Sequence, residues 1–381
     1  MENLNSLFGN KTNYKKVFVC SSYSTTHNLY GDKQVISKLE NDIRCKLLGN
    51  VNSFLSAPKS SEEIFFPCNN SLRYIGSFFH ETLCDSKNEC EDILDAKISR
   101  LEESDLVIVI LDSPSDVSTF SELLYATFLN KEIIIFANPN YFRLDKNYKG
   151  WYTFVLCHEL NENITFINDT KIDTITRYLK NYKSTKHYPE TPFASKKDKK
   201  IIKSEEIKLF FSATFGLNHK KVTKENIITL LEKNIRTNFL DIKDFAFESQ
   251  DLYIEKNLKY IGGFYYHMLD LNKFGTGLKD YEILAKSMTN HIDKADVVTI
   301  ILDQYTGIGV VQELLYASYK KKKVFVLYYP EITNLEDKTS EYWFPILLAQ
   351  RINPEHFTMQ ALANEKDIIK YINYEFLNDL K

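Results

Sequence analysis

No run in the chain of 381 residues approaches the 18 or more consecutive apolar residues of a membrane-spanning helix, so no membrane partner is expected. Nor is one sign of charge in excess. Lys and Arg number 48 against 51 Asp and Glu, and a net charge of -3 gives no pull toward nucleic acid or anionic membrane. Basic and aromatic residues do not alternate as on a nucleic-acid platform, so no nucleic-acid partner is expected either. Cysteine is scarce: the six (Cys20, Cys45, Cys68, Cys84, Cys90, Cys157) all lie in the first half, without a CxxC pair. That fits neither a disulfide framework nor a zinc site, and reads as reduced thiols. The eight histidines are scattered without ligand spacing, so no metal is assigned. The opening MENLNSLFGNKTNYKK lacks the apolar core of a secretion signal, and a cytoplasmic protein is the expectation.

What is present is a repeat. Asp105-Leu-Val-Ile-Val-Ile-Leu-Asp112 matches Asp296-Val-Val-Thr-Ile-Ile-Leu-Asp303, two β-branched runs that read as buried parallel strands. Ten residues after each second aspartate comes Glu-Leu-Leu-Tyr-Ala, at 122–126 and 313–317. Then follow EIIIFANP (132–139) and KVFVLYYP (323–330). Upstream, VFVCSSYS (17–24) pairs with LFFSATFG (209–216), and RYIGSFF (73–79) with KYIGGFY (259–265). Val17 to Glu122 spans 105 residues and Leu209 to Glu313 spans 104, a constancy that makes the blocks an internal duplication. The units are 14–182 and 205–381, joined by a linker at 183–204 that carries seven lysines and two prolines.

Within one unit, strands alternate with helices. A strand at VFVCSSYS precedes a helix with apolar spacing from Val35 to Leu48, then a short strand near Phe54-Leu55, the Tyr-Ile-Gly block, and a helix through Ile93, Leu94, Ile98 and Leu101. The tail adds the apolar runs TFVLC and ITFIND and a final helix near Ile172–Tyr182. This alternation predicts an α/β protein: two tandem flavodoxin/Rossmann-like three-layer domains with mostly parallel sheets. Ligands of such sheets bind at the carboxyl ends of the strands, where the loops 21–32, 112–121, 212–222 and 303–312 fall.

Carboxylates gather at those ends. Asp112, Asp116 and Glu122 in the first unit, and Asp303 and Glu313 in the second, sit between a strand end and the first turn of the next helix. A Glu there is favoured by exposed amides alone, so a purely helix-starting role stays open. Paired carboxylates are also what glycosyl transfer requires, one as nucleophile and one handling protons. SPSDVSTFS (113–121) offers hydroxyls for a sugar or phosphate, and QYTGIGVVQ (304–312) offers Gly307 and Gly309, which let backbone amides approach a ligand.

The order of these blocks resembles the nucleoside 2-deoxyribosyltransferase family and the related deoxynucleoside monophosphate N-glycosidases. The resemblance covers about the first two-thirds of each copy, and its specific part is the Asp-to-Glu segment. It implies that Glu122 and Glu313 stand where the family's nucleophile does, and that Asp116, six residues earlier, matches a site aspartate that is Gly307 in the second copy. The family's Gly-Thr before the Glu is Ser118-Thr119 and Gly309-Val310, and its first-strand Tyr is matched by Phe18 and Phe210. Ser21, Ser22, Ala213 and Thr214 after the first strands, with Tyr74, Gly76, Tyr260 and Gly262, complete the candidate binding set. For the two tyrosines a buried place beside a glycine turn is the stronger expectation.

The implied activity is cleavage or transfer of the N-glycosidic bond of a small-molecule nucleoside or nucleotide, as a transferase or hydrolase of nucleotide metabolism without a cofactor. Family sites are often completed by a neighbouring subunit, so a homo-oligomer is one expectation. Another is that the duplication fuses such a pair and frees one half to become a scaffold. Two other readings remain open: a nucleotide-binding or regulatory protein without turnover, and a structural subunit using the duplicated fold as a platform.

Overall fold

The computed structural model describes residues 14–21, 46–49, 63–76, 89–111, 117–140, 151–183, 206–213, 252–255, 257–262, 289–302, 308–330, 335, 342–362, 367 and 371. The strands β1 (Lys15–Ser21), β2 (Ile64–Phe66), β3 (Asn69–Gly76), β4 (Leu106–Leu111), β5 (Glu132–Ala137) and β6 (Ile164–Ile167) form one sheet in the order β2-β3-β1-β4-β5-β6. A second sheet has the same order: β7 (Ile207–Ala213) takes the place of β1, with β8 (Leu252–Glu255), β9 (Leu258–Gly262), β10 (Val297–Leu302), β11 (Lys323–Tyr328) and β12 (Phe357–Ala361) following suit. All neighbours are parallel except β2 with β3 and β8 with β9. The five parallel strands of each sheet therefore run 2-1-3-4-5 in chain order, the flavodoxin-like doubly wound arrangement. Its switch points lie between β1 and β4, and between β7 and β10.

The helices are α1 (Glu89–Glu103), α2 (Val117–Phe128), α3 (Trp151–Leu160), α4 (Ile172–Asn181), α5 (Ile308–Tyr319) and α6 (Trp343–Ile352). Successive side chains of a strand point to opposite faces, and β4 feeds two cores in this way. Val107, Val109 and Leu111 pack with α1 and α2, while Leu106, Ile108 and Ile110 pack with Ile175 and Leu179 of α4. The run TFVLC belongs to α3 rather than standing beside ITFIND as a second extended run. The predicted strand near Phe54-Leu55, and the helix over Val35–Leu48 apart from residues 46–48, lie outside the described residues.

The duplication extends to individual hydrogen bonds at an offset of 191 or 192 residues. Asp105 accepts the amide of Lys16, and Asp296 that of Lys208, both at 2.8 Å. The Lys131 ammonium donates to the carbonyls of Glu102 and Ser104; Lys322 does so to those of Asp293 and Ala295. Asn161 and Asn353 donate to the carbonyls of those same lysines. Past the helices α2 and α5, Asn130 and Lys321 take matching left-handed φ angles of 54° and 56°.

The repeated Tyr-Ile-Gly block also has a structural cause. On both sheets the register slips there, so that Phe18 pairs with Gly76 and Phe210 with Gly262. A Cβ on Gly262 would lie 2.9 Å from the Phe210 ring and 3.3 Å from His291 Cγ. Phe210 is fully buried and cannot swing away. Gly262→Ala is therefore expected to destabilise the protein by about 1–3 kcal/mol, read as a lowered urea midpoint. An unchanged midpoint would mean that the ring has room.

The two halves share one core. α5 packs on α2 and α6, and α6 packs on α1 and α2. Phe128 and Tyr319, equivalent positions of the two copies, stack on each other with centroids 4.2 Å apart and planes 7° from parallel. An approximate twofold axis therefore passes between them. Arg351 at the end of α6 reaches Asp95 and, at 3.9 Å, Glu102 of the first half. This contact explains why α2 and α5 are buried nearly all round: each is covered by its own sheet and by the other half. Among the described residues no helix is long and apolar enough to cross a membrane.

Candidate functional site

Glu122 and Glu313 are the sixth residues of α2 and α5, one turn deeper than the first-turn placement expected from the sequence. The reason is that both helices begin early, at Val117 and Ile308, inside segments that read as loops. Ser118, Thr119 and Gly309 are thus residues of a first helical turn. The dipole of a helix end fades within one turn, so it does not account for either glutamate. Both are buried, at 1% and 7% exposure, and a buried carboxyl needs a partner or a proton. The two copies meet that need differently.

In the first half the partner is Lys97 of α1, whose ammonium donates to Glu122 Oε1 at 2.9 Å. Lys97 is itself buried, and it lies 5.3 Å from the ring centre of Phe344 in α6 of the second half. The ion pair thus sits where the halves meet. The core that runs through both halves here includes Ile93, Leu94, Phe120 and Phe344.

In the second half the partner is neutral. Ser212, at the end of β7, donates its hydroxyl to Glu313 Oε2. Ser212 and Cys20 are structural equivalents, since Ser212 pairs with Ile300 as Cys20 pairs with Val109. Where the first half has Lys97, the repeat offset puts Met288 in the second, a residue outside the described set. Burial pushes the Glu313 carboxyl up to about 7, and the Ser212 hydrogen bond opposes that rise. Gln312 beside it is fully buried, and its amide has no hydrogen-bond partner among the described residues. Its counterpart Ser121 satisfies itself on the Val117 carbonyl.

The remaining candidates fall into four groups. Phe18 and Phe210 are fully buried in the core that holds α2 and α5, on the same sheet faces as the glutamates. Tyr74 is 3% exposed and packs with Val17, Val19 and Phe66 on the opposite face, while Tyr260 stacks on Phe211, one residue out of phase with Ser212. The pleat therefore separates both tyrosines from their glutamates. Ser21 closes β1 half-buried, and Ala213 closes β7. Asp112, Asp116, Ser22, Thr214, Asp303 and Gly307 lie outside the described residues.

Lys97 and Ser212 were not among the residues expected from the sequence. A signal for each exists. Lys97 falls four after Ile93 and three after Leu94, inside the apolar stripe of its helix, where a lysine must find an anion. Ser212 alternates in phase with Phe210, which marks a hydroxyl directed to the core. The four cysteines among the described residues are free thiols, and burial pushes Cys157 up to about 12, far from a reactive thiolate. Among the described residues no group of three or more His, Cys, Asp or Glu is placed to hold a metal ion. A hollow of about 530 Å³ beside Lys46, Lys171 and Thr176 opens at the start of α4, on the other face of the sheet from Glu122. No protein-family model and no curated protein matches the chain.

Proposed function

We propose that the chain cleaves or transfers the N-glycosidic bond of a deoxynucleoside or its monophosphate, and that the second half does the chemistry. The supporting observation is Glu313: a buried carboxyl with no cationic partner among the described residues, held by a strand-end hydroxyl beside the β7/β10 switch point. A carboxyl titrating about 7 supplies both carboxylate and acid at neutral pH. The resemblance to the nucleoside 2-deoxyribosyltransferases supplies the substrate class. In the reaction, a Glu313 oxygen bonds to C1′ as the C1′–N bond breaks. The bond pair goes to the base nitrogen, which takes up a proton from water. A water molecule or a second base then attacks C1′, gives up a proton and releases the Glu313 carboxylate.

The first half takes a supporting part, because Lys97 engages Glu122 and the pair is buried against the second half. That same pair favours a second reading for the first half, a copy that binds without turnover. The test is release or exchange of base from each deoxynucleoside and deoxynucleoside monophosphate, with and without an acceptor base. Glu313→Gln is expected to lower turnover at least about a thousand-fold. The double variant Lys97→Met/Glu122→Gln is expected to keep it. Turnover lost in the double variant and kept in Glu313→Gln would move the site to the first half. No turnover with any substrate, together with a nucleotide-induced rise in melting temperature, would favour a binding protein.

A further inference from the structure

We infer that Ser212 is a positioning residue for Glu313: its hydroxyl fixes Oε2 and leaves Oε1 to face the reacting carbon. This rests on the reading of Glu313 as the reacting carboxyl. The geometry is specific. Ser212 is 2% exposed near the carboxyl end of β7, with its side chain on the face that meets α5. Two buried hydroxyls of α2 bond back to their own helix, Ser121 to the Val117 carbonyl and Thr127 to that of Leu123. Ser212 instead reaches across 101 residues of sequence to a carboxyl. A carboxylate with one oxygen tied to a rigid strand loses rotation about its last torsion, and that restriction matters when an oxygen must meet a carbon along one line.

The first half provides an internal comparison. Cys20 stands at the same strand position, a thiol being a weak donor, and Glu122 is held by Lys97. Among the described residues, the hydroxyl goes with a carboxyl that has no cationic partner, and the thiol with the ion-paired carboxyl. Ser212→Cys therefore converts one copy's arrangement toward the other's.

The experiment compares Ser212→Ala, Ser212→Cys and Ser212→Thr with the parent chain by steady-state kinetics and by difference infrared spectroscopy of the protonated Glu313 carbonyl, assigned by its loss in Glu313→Gln. Alanine and cysteine are expected to lower kcat about 10- to 100-fold, the worth of a hydrogen bond to a charged group, with KM changed less than about two-fold. Threonine keeps the hydroxyl and is expected to restore kcat. The carbonyl band is expected to move to higher frequency in Ser212→Ala and to stay in place in Ser212→Thr. A parent-like kcat or an unshifted band in Ser212→Ala overturns the role of Ser212 and leaves the glycosidic reading intact. A parent chain without turnover overturns the glycosidic reading instead, and the band then decides alone whether Ser212 orients Glu313.

Discussion

Lys97→Met is expected to cost the folded protein about 3–5 kcal/mol at neutral pH, seen as a large fall in the urea midpoint. Lys97 and Glu122 are a buried ion pair, with side chains 8% and 2% exposed. Removing one partner leaves the other as an uncompensated buried charge, which is where the cost arises. Methionine keeps most of the lysine stem's volume, so contact with Phe344 persists and the loss reports charge rather than a cavity. It is also the residue that the second half has at the corresponding position, Met288. The double variant Lys97→Met/Glu122→Gln removes both charges and is expected to regain most of the stability, because a neutral pair of similar volume escapes the desolvation penalty. If single and double variants were equally unstable, packing of the lysine stem would be the main contribution, and the ion pair would lose its role in holding the halves together.

How far the sequence reached follows from which interactions repeat. The strands β4 and β10 were legible because buried parallel strands read as unbroken apolar runs, and β1, β3, β5 and their partners followed from constant spacing. The Tyr-Ile-Gly block was legible as a motif. Its cause was not, because a register slip that seats Phe18 against Gly76 joins residues far apart in the chain. The starts of α2 and α5 were misread because Ser, Asp and Gly around 113–121 and 304–312 have loop composition, while tertiary contacts with both sheet and opposite half carry the helix through them. For the site, the glutamates were visible as residue types at a fixed distance from a strand. Their difference was not, since Lys97 is 25 residues from Glu122 and Ser212 is 101 from Glu313. A repeat reveals what two copies share, and the divergence lies in those unlike partners.

Between pH 4.5 and about 7, Glu313 is expected to draw stability out of the fold by roughly 3 kcal/mol. Its folded-state value is raised from 4.5 to about 7 by burial, so across this window the folded chain holds a proton that the unfolded chain has released. Stability is full below 4.5, falls by about 1.4 kcal/mol per pH unit through the window, and levels off above 7, where both states are ionised. Glu313→Gln is neutral at every pH and keeps an oxygen to accept from Ser212. Against the parent chain it is expected to be equally stable near pH 4 and more stable by up to roughly 3 kcal/mol at pH 8. Taking the difference between the two proteins cancels every other titrating group, so urea midpoints from pH 4 to 8 suffice, and parallel curves would show that Glu313 carries no such proton. Under the proposed reaction turnover runs the other way, because attack on C1′ would require the carboxylate: kcat/KM is expected to rise with pH through about 7, over the range in which the fold weakens. Glutamine at this position would fill the same space and escape the conflict. Under the proposed reaction, the acid that weakens the fold is the group that carries the chemistry, a trade of stability for activity.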